Sequence, residues 1–337
     1  MSESYLAKSL SFKALVVEEK ETGEFVSVIK TLQVSDLPQG ELLIRVAFSG
    51  LNYKDALSAS GNKGITRRYP HTPGIDAAGT VVESLVDSFK AGDEVLVTGY
   101  DLGMNTSGGF SEYISVPSAW AVKKPENLSL RDCMIVGTSG FTAASAIYEF
   151  MQHGILPESG KILVTGAGGA VGSMAAAMLA NAGFRVVAST GKKEAAELLL
   201  QAGVSEVISR EEINDLSGRP LLPGRWIAAL DTVGGNTLST VIRSTADRGV
   251  VANCGMLAGN KLEVSVFPFI LRGVRLVGIA SAETPMERRL EIWKLIAGKL
   301  RLNFESLVSK TIRIDEIPDE LHRMLNAGTM GKVLVSL

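Results

Sequence analysis

A chain of 337 residues exceeds what one hydrophobic core usually organises, so two domains are expected. Its 34 Lys plus Arg stand against 36 Asp plus Glu, and 46% of residues are hydrophobic, an ordinary globular balance whose charge of −2 gives no general pull toward nucleic acid or an anionic membrane. Two cysteines, Cys133 and Cys254, exclude a four-cysteine zinc site and a disulfide framework; both lie in apolar stretches, as reduced thiols of a cytoplasmic protein would.

The start, MSESYLAKSLSFKALVVEE, has no basic region followed by an apolar one, so no targeting segment is expected. Next come short strand-like runs, FKALVVEE, LLIRVAFSG, GTVVES and DEVLVTGY, bounded by Gly, Pro or Asp. They predict a mostly antiparallel β domain. Near Cys133 the pattern turns helical in SGFTAASAIYEFM. Strand and helix then alternate: KILVT, a helix from Gly169 to Asn181, FRVVAST, and the helix KKEAAELLLQAG with Gly203 as its C-terminal cap. EVISR, RWIAALDTVG, RGVVANCG and VRLVGIA read as further strands. Such alternation implies a parallel sheet with covering helices. After about Ser281 come an amphipathic helix, PMERRLEIWKLIAGKL, and the strands TIRIDEI and GKVLVSL, the last expected to return to the first domain. The fold class is therefore α/β, with a parallel-sheet domain over 133–281 inserted in a mostly β domain made of 1–132 and 282–337.

Ile162 to Ala180 carries no charge and nearly reaches membrane-span length. Its glycines at 166, 168, 169 and 172 make it a strand, a turn and a helix instead. Glycine lets backbone approach a pyrophosphate, and the following helix N-terminus offers unpaired amides. With strand, turn, helix and second strand in order, a dinucleotide site is expected. The second strand ends Ala188-Ser189-Thr190-Gly191-Lys192-Lys193, without the carboxylate that would accept from an NAD ribose. Hydroxyls and ammonium groups suit a 2′-phosphate, so NADPH is expected.

LNYKDALSASG, TPGIDAAGTV, GDEVLVTG, GGFSEY, GTSGFTA, VTGAGGAVG, DTVGG and FPFILRGVRLVGI occur in that order. Together they resemble the acryloyl-CoA reductase branch of the zinc-independent quinone oxidoreductases, the YhdH/YhfP type of the medium-chain dehydrogenase/reductase superfamily. The resemblance spans nearly the whole chain. It implies a Rossmann domain inserted in a GroES-like catalytic domain, a homodimer, no metal, and hydride delivery from NADPH to an activated double bond. The acceptor implied is a short enoyl-CoA such as acryloyl-CoA. A quinone or a general enone is the alternative, and a non-enzymatic NADPH-binding protein is a third reading. No nucleic-acid or membrane partner is implied. His71 stands without a neighbouring cysteine and reads as a loop residue.

Position by position, the resemblance puts the pyrophosphate on Gly168, Gly169, Ala170 and Val171, and the 2′-phosphate on Thr190, Gly191 and Lys192, with Arg210 close to the adenosine end. Met256, Ile270 and Ser281 fall along the nicotinamide half, Tyr53 lines the nicotinamide pocket, and Asn326 joins the set near the C-terminus. Met256 and Ile270 also read as core residues. Reduction of an enoyl thioester needs a donor for the developing enolate oxygen. Asn52 could donate to it, and Tyr53 could donate a hydrogen bond or a proton. Asp55 is read as orienting Lys54 or the backbone, and Asn52 and Asp55 can equally shape a turn. Lys63, Arg67 and Arg68, close together on one loop, could meet coenzyme A phosphates or be a solvated basic loop.

Overall fold

A computed structural model describes residues 10–326 and 331–337. The first strands are β1 (Ser11–Glu19), β2 (Phe25–Gln33) and β3 (Leu42–Gly50), followed by the short helix α1 (Tyr53–Ala59), then β4 (Asp76–Ser84), β5 (Glu94–Thr98), β6 (Tyr113–Val116) and β7 (Val122–Lys123). Helix α2 (Leu130–Gln152) leads into the alternating region: β8 (Lys161–Val164), α3 (Ala170–Asn181), β9 (Arg185–Ser189), α4 (Lys193–Gln201), β10 (Glu206–Ile208), β11 (Trp226–Asp231), α5 (Gly235–Arg243), β12 (Thr245–Asn253), α6 (Phe267–Arg272) and β13 (Arg275–Gly278). The chain closes with α7 (Met286–Ala297), β14 (Val308–Arg313), α8 (Ile317–Leu325) and β15 (Lys332–Ser336).

Two compact units result. The first holds the described residues up to Thr138, Ala282–Leu290 and those from Phe304; the second holds Ser139–Ser281 and Glu291–Asn303. The sequence reading gave 291–303 to the first unit. The structure keeps it with the second because Trp293 packs 6.0 Å from the Phe141 ring and the Tyr148 hydroxyl donates to Glu291.

In the first unit β1 and β2 form an antiparallel ribbon, and a seven-stranded sheet runs β14-β15-β3-β4-β5-β7, with β6 also on β3. β15 lies antiparallel to β3, so the C-terminal strand does return to this unit. Alternating apolar positions of β3, β4 and β5, among them Leu42, Ile44, Val46, Ala77, Val81, Val95 and Val97, make its core. The second unit has a six-stranded parallel sheet, β10-β9-β8-β11-β12-β13, the order of a doubly wound dinucleotide-binding domain. Its strands are near-continuous Val, Ile, Leu and Ala because they are buried, as in Leu163, Val187, Ala229 and Val251. The uncharged stretch 162–180 is β8, a turn and α3, and no helix among the described residues is long and apolar enough to cross a membrane.

Candidate active site

The turn between β8 and α3 is built by close backbone approach. Gly166 has φ +60, and a Cβ on it would lie 2.2 Å from Thr232 Oγ1; a Cβ on Gly172 would lie 2.5 Å from the Gly166 carbonyl oxygen. Gly169 is the N-cap of α3. Ser173 N donates to the Gly169 carbonyl, which leaves the amides of Ala170, Val171 and Gly172 as first-turn donors without intrahelical partners. Such a bend accepts an anion.

The next loop meets this turn. Gly168 faces Thr190 Oγ1, Ala195 and the Lys192 side chain. Thr190 Oγ1 accepts from Lys192 N at 3.1 Å. Arg210, just after β10, lays its guanidinium across Gly191, where a Cβ would stand 2.0 Å from Arg210 Nε. A side chain at position 191 would require this guanidinium to move. A hydroxyl, an ammonium and a guanidinium converge beside the bend, with no carboxylate among residues 188–193.

One buried carboxylate braces the ends of the central strands. Asp231, at the end of β11, accepts from Thr165 Oγ1 at 2.7 Å, Gly234 N at 2.7 Å, Asn253 Nδ2 at 2.9 Å and Val233 N at 3.3 Å. Thr232 Oγ1 donates to the Thr165 carbonyl at 3.0 Å. Burial raises the Asp231 carboxyl above its ordinary range, against the pull of these donors. Gly234 in turn abuts Met256 and Gly259. The structure therefore brings together residues 166–172, 190–192, 210, 232–235 and 255–259.

Met256 is 70% and Ile270 67% exposed, which removes the reading of either as core. Ile270 sits on α6. Ser281 accepts from Thr142 Oγ1 at 2.8 Å.

In the first unit Tyr53 is the first residue of α1 and is 49% exposed, while Asn52 before it is buried. Asn52 Nδ2 donates to the Gly50 carbonyl at 3.0 Å and to Asp76 Oδ2 at 2.8 Å; its Oδ1 accepts from Lys332 Nζ at 3.3 Å. Both amide hydrogens are therefore engaged inside the protein, which leaves Tyr53 as the residue of this pair that can meet a ligand. Asp55 does orient backbone. Its carboxylate accepts from Asn52 N at 2.8 Å, Ile75 N at 2.9 Å and Gly74 N at 3.2 Å, joining the start of α1 to the entry of β4. Burial, then the neighbouring Asp76 charge, lifts its pKa to about 7. Asn326 caps α8, which packs on α1, but its Nδ2 turns back to the His322 carbonyl at 3.1 Å.

His71 is buried, with Nε2 2.9 Å from the Gly103 carbonyl, and burial lowers its pKa. Among the described residues, no cluster of three or more His, Cys, Asp or Glu could hold a metal ion. Cys133 is buried and Cys254 partly so; burial pushes both thiols up to about 12, so neither supplies a thiolate near neutrality. Lys63 is engaged by Glu19 at 2.7 Å and lies over the rings of Phe25 and Tyr69, while Arg67 and Arg68 are exposed.

Sequence reasoning passed over Asp76, Thr138, Asp231 and Lys332. Asp76 and Asp231 lay inside quoted motifs, TPGIDAAGTV and DTVGG, but a single carboxylate in an apolar run does not announce its partners.

Comparison with known proteins adds the following. The model of the alcohol dehydrogenase GroES-like domain matches residues 38–126, and that of the zinc-binding dehydrogenase matches residues 170–297. YhfP of Bacillus subtilis (strain 168), which carries the name of a quinone oxidoreductase, is 44% identical over 98% of this chain and 100% of its own length. Its crystal structure with NAD bound superposes with a TM-score of 0.95, covering 98% of this chain and 100% of that one, at 43% identity. The acrylyl-CoA reductase AcuI of Ruegeria pomeroyi is 39% identical over 97% of this chain and 99% of its own. The yhdH oxidoreductase of Salmonella enterica, crystallised with NADP, gives a TM-score of 0.93 at 39% identity, covering 96% of this chain and 99% of that one.

Proposed function

We propose, from the premise that this chain belongs to the medium-chain dehydrogenase/reductase family in the branch of YhfP and AcuI, that it is an NADPH-dependent reductase of activated double bonds, with a short 2-enoyl-CoA such as acryloyl-CoA as its acceptor. The observation that carries the cofactor reading is the meeting of Thr190, Lys192 and Arg210 beside the glycine turn. The cradle fits a dinucleotide: the amides of Ala170, Val171 and Gly172 have no intrahelical partners, and the lack of side chains at Gly166 and Gly172 lets the turn pack closely. Relatives have been crystallised with NADP and with NAD. The choice of NADPH here rests on cations where an NAD site needs an acid.

When bound, the nicotinamide supplies the hydride, which the β-carbon of the acceptor receives while the α-carbon takes a proton. The protein's part is to hold and polarise. Ala170–Gly172 amides would bind the pyrophosphate, and Arg210 and Lys192 the 2′-phosphate. Met256, Ile270 and Ser281 stand as expected neighbours of the nicotinamide half. Tyr53 would donate a hydrogen bond to the thioester oxygen as charge develops there, or supply the proton. Steady-state assays test the acceptor. Turnover with acryloyl-CoA and NADPH is expected to exceed that with a quinone in kcat/KM. Efficient quinone reduction without acryloyl-CoA turnover would assign the quinone instead, and tight NADPH binding without turnover of any activated alkene would make this a binding protein.

The second unit also supports a homodimer. Among the described residues β13 pairs on one side only, and near it Val266, Phe267, Ile270, Leu271 and Leu276 are exposed. An open strand edge beside apolar side chains favours pairing with a second copy about a two-fold axis. Light scattering is expected to give twice the chain mass, and Leu276→Lys to shift it toward one chain; a wild-type monomer at micromolar concentration rules the dimer out.

A further inference from the structure

We propose that Asp76 and Lys332 are positioning residues for the reduction, which fix the Asn52 amide and so set the direction in which Tyr53 leaves the protein surface. The inference rests on the reading of Tyr53 as the residue that meets the acceptor.

Lys332, at the start of β15, and Asp76, at the start of β4, are fully buried, with Nζ 3.6 Å from Oδ2. Lys332 Nζ also reaches the Leu51 carbonyl at 3.4 Å as well as Asn52 Oδ1. Asp76 is clamped from the other side: Thr138 N donates to both carboxylate oxygens, at 3.0 and 2.9 Å, and Thr138 Oγ1 donates to Oδ1 at 2.6 Å. Three separate stretches of chain, at residues 50–52, 76 and 332, thus meet at one side-chain amide, and a fourth, at Thr138, holds Asp76 in place.

Two glycines make room for this arrangement. Gly137 breaks α2 with φ +46, which turns the Thr138 amide toward Asp76, and a Cβ there would lie 2.5 Å from Asp76 Oδ2. A Cβ on Gly50 would lie 2.7 Å from Lys332 Nζ. A buried ion pair is weak evidence for stability, since apolar residues of similar volume often serve as well. A pair that requires a broken helix and two cleared positions asks for another explanation. The arrangement ends on Asn52, which is extended (φ −135, ψ 156), directly precedes α1, and has a fixed partner for every polar atom of its amide. The residue it launches is Tyr53.

The test is a double-mutant cycle in kcat on the full chain, with NADPH and acryloyl-CoA or, as control, a simple enone. Lys332→Met is expected to lower kcat on the order of 10- to 100-fold, the cost of a misplaced reacting group, with KM for NADPH within about two-fold. In a Tyr53→Phe background the same change should cost less than about three-fold, because groups that act through one another are non-additive. Asp76→Asn should follow the same pattern. The pair Asp76→Asn/Lys332→Met removes both charges and should regain the melting temperature without regaining kcat. Thr138→Val, which deletes one hydroxyl, carries the cycle if the charge variants do not fold. Factors that multiply independently of Tyr53, or kcat restored along with the melting temperature, would overturn the inference. A wild-type enzyme idle on every alkene would instead defeat the reading beneath it.

Discussion

Replacing Arg210 with glutamate is expected to raise KM for NADPH by about two to three orders of magnitude while NADH turnover is kept or improved. The guanidinium lies over Gly191, beside Thr190 and Lys192. There it can give a phosphate two parallel charge-assisted bonds, each worth about 1.5–3 kcal/mol. At the lower end of that range, loss of two such bonds comes to roughly 3–4 kcal/mol, and each 1.4 kcal/mol is ten-fold in affinity. Glutamate adds repulsion toward the 2′-phosphate and an acceptor for a free 2′-hydroxyl. The comparison of both cofactors decides the matter. An equal loss with NADPH and NADH would mean that the turn had collapsed, and an unchanged KM for NADPH would remove Arg210 from the site.

Asp231→Ala is expected to lower stability by about 3–5 kcal/mol, the cost of leaving several buried partners of a charged group unpaired. Thr165, Val233, Gly234 and Asn253 all donate to this carboxylate. With a shift of about 2–4 °C per kcal/mol for a domain of this size, the melting temperature should fall by roughly 10 °C or more. NADPH affinity should fall with it, since the same carboxylate fixes the residues that adjoin Gly166 and Met256. Asp231→Asn keeps the shape but turns an NH2 toward donors, so it should lie between the two. A melting temperature within about 2 °C of wild type for the alanine variant would show that water or a rearranged turn replaces the carboxylate.

The dinucleotide-binding unit was legible because its signals are local. β8, the glycine turn, α3 and β9 occupy one continuous stretch, where β-branched strands, glycines at 166, 169 and 172 and an alanine-rich helix each follow a short-range rule. Residues 190–192 could be read the same way. Arg210, 18 residues beyond Lys192, came from the family resemblance, and the structure places its guanidinium on Gly191. The Asp76–Lys332 pair was not legible, because 256 residues separate partners that only the β15–β3–β4 register brings together. Exposure was not legible either: Met256 and Ile270 are apolar in sequence, and only packing shows that they face outward. The return of 291–303 to the second unit escaped for the same reason, since the helical pattern of α7 runs on across the boundary.

The guanidinium lying over Gly191 ties two distant codons together. No side chain can enter position 191 while Arg210 stays where it is, and on the proposed reading a change of Arg210 weakens the hold on the 2′-phosphate. A drift in coenzyme preference that places a bulkier residue at position 191 is therefore expected to pass first through a change at Arg210, an intermediate poor with NADPH but still competent with NADH. That epistasis makes the order of substitutions matter: in a directed-evolution experiment, arginine has to yield first and the glycine second.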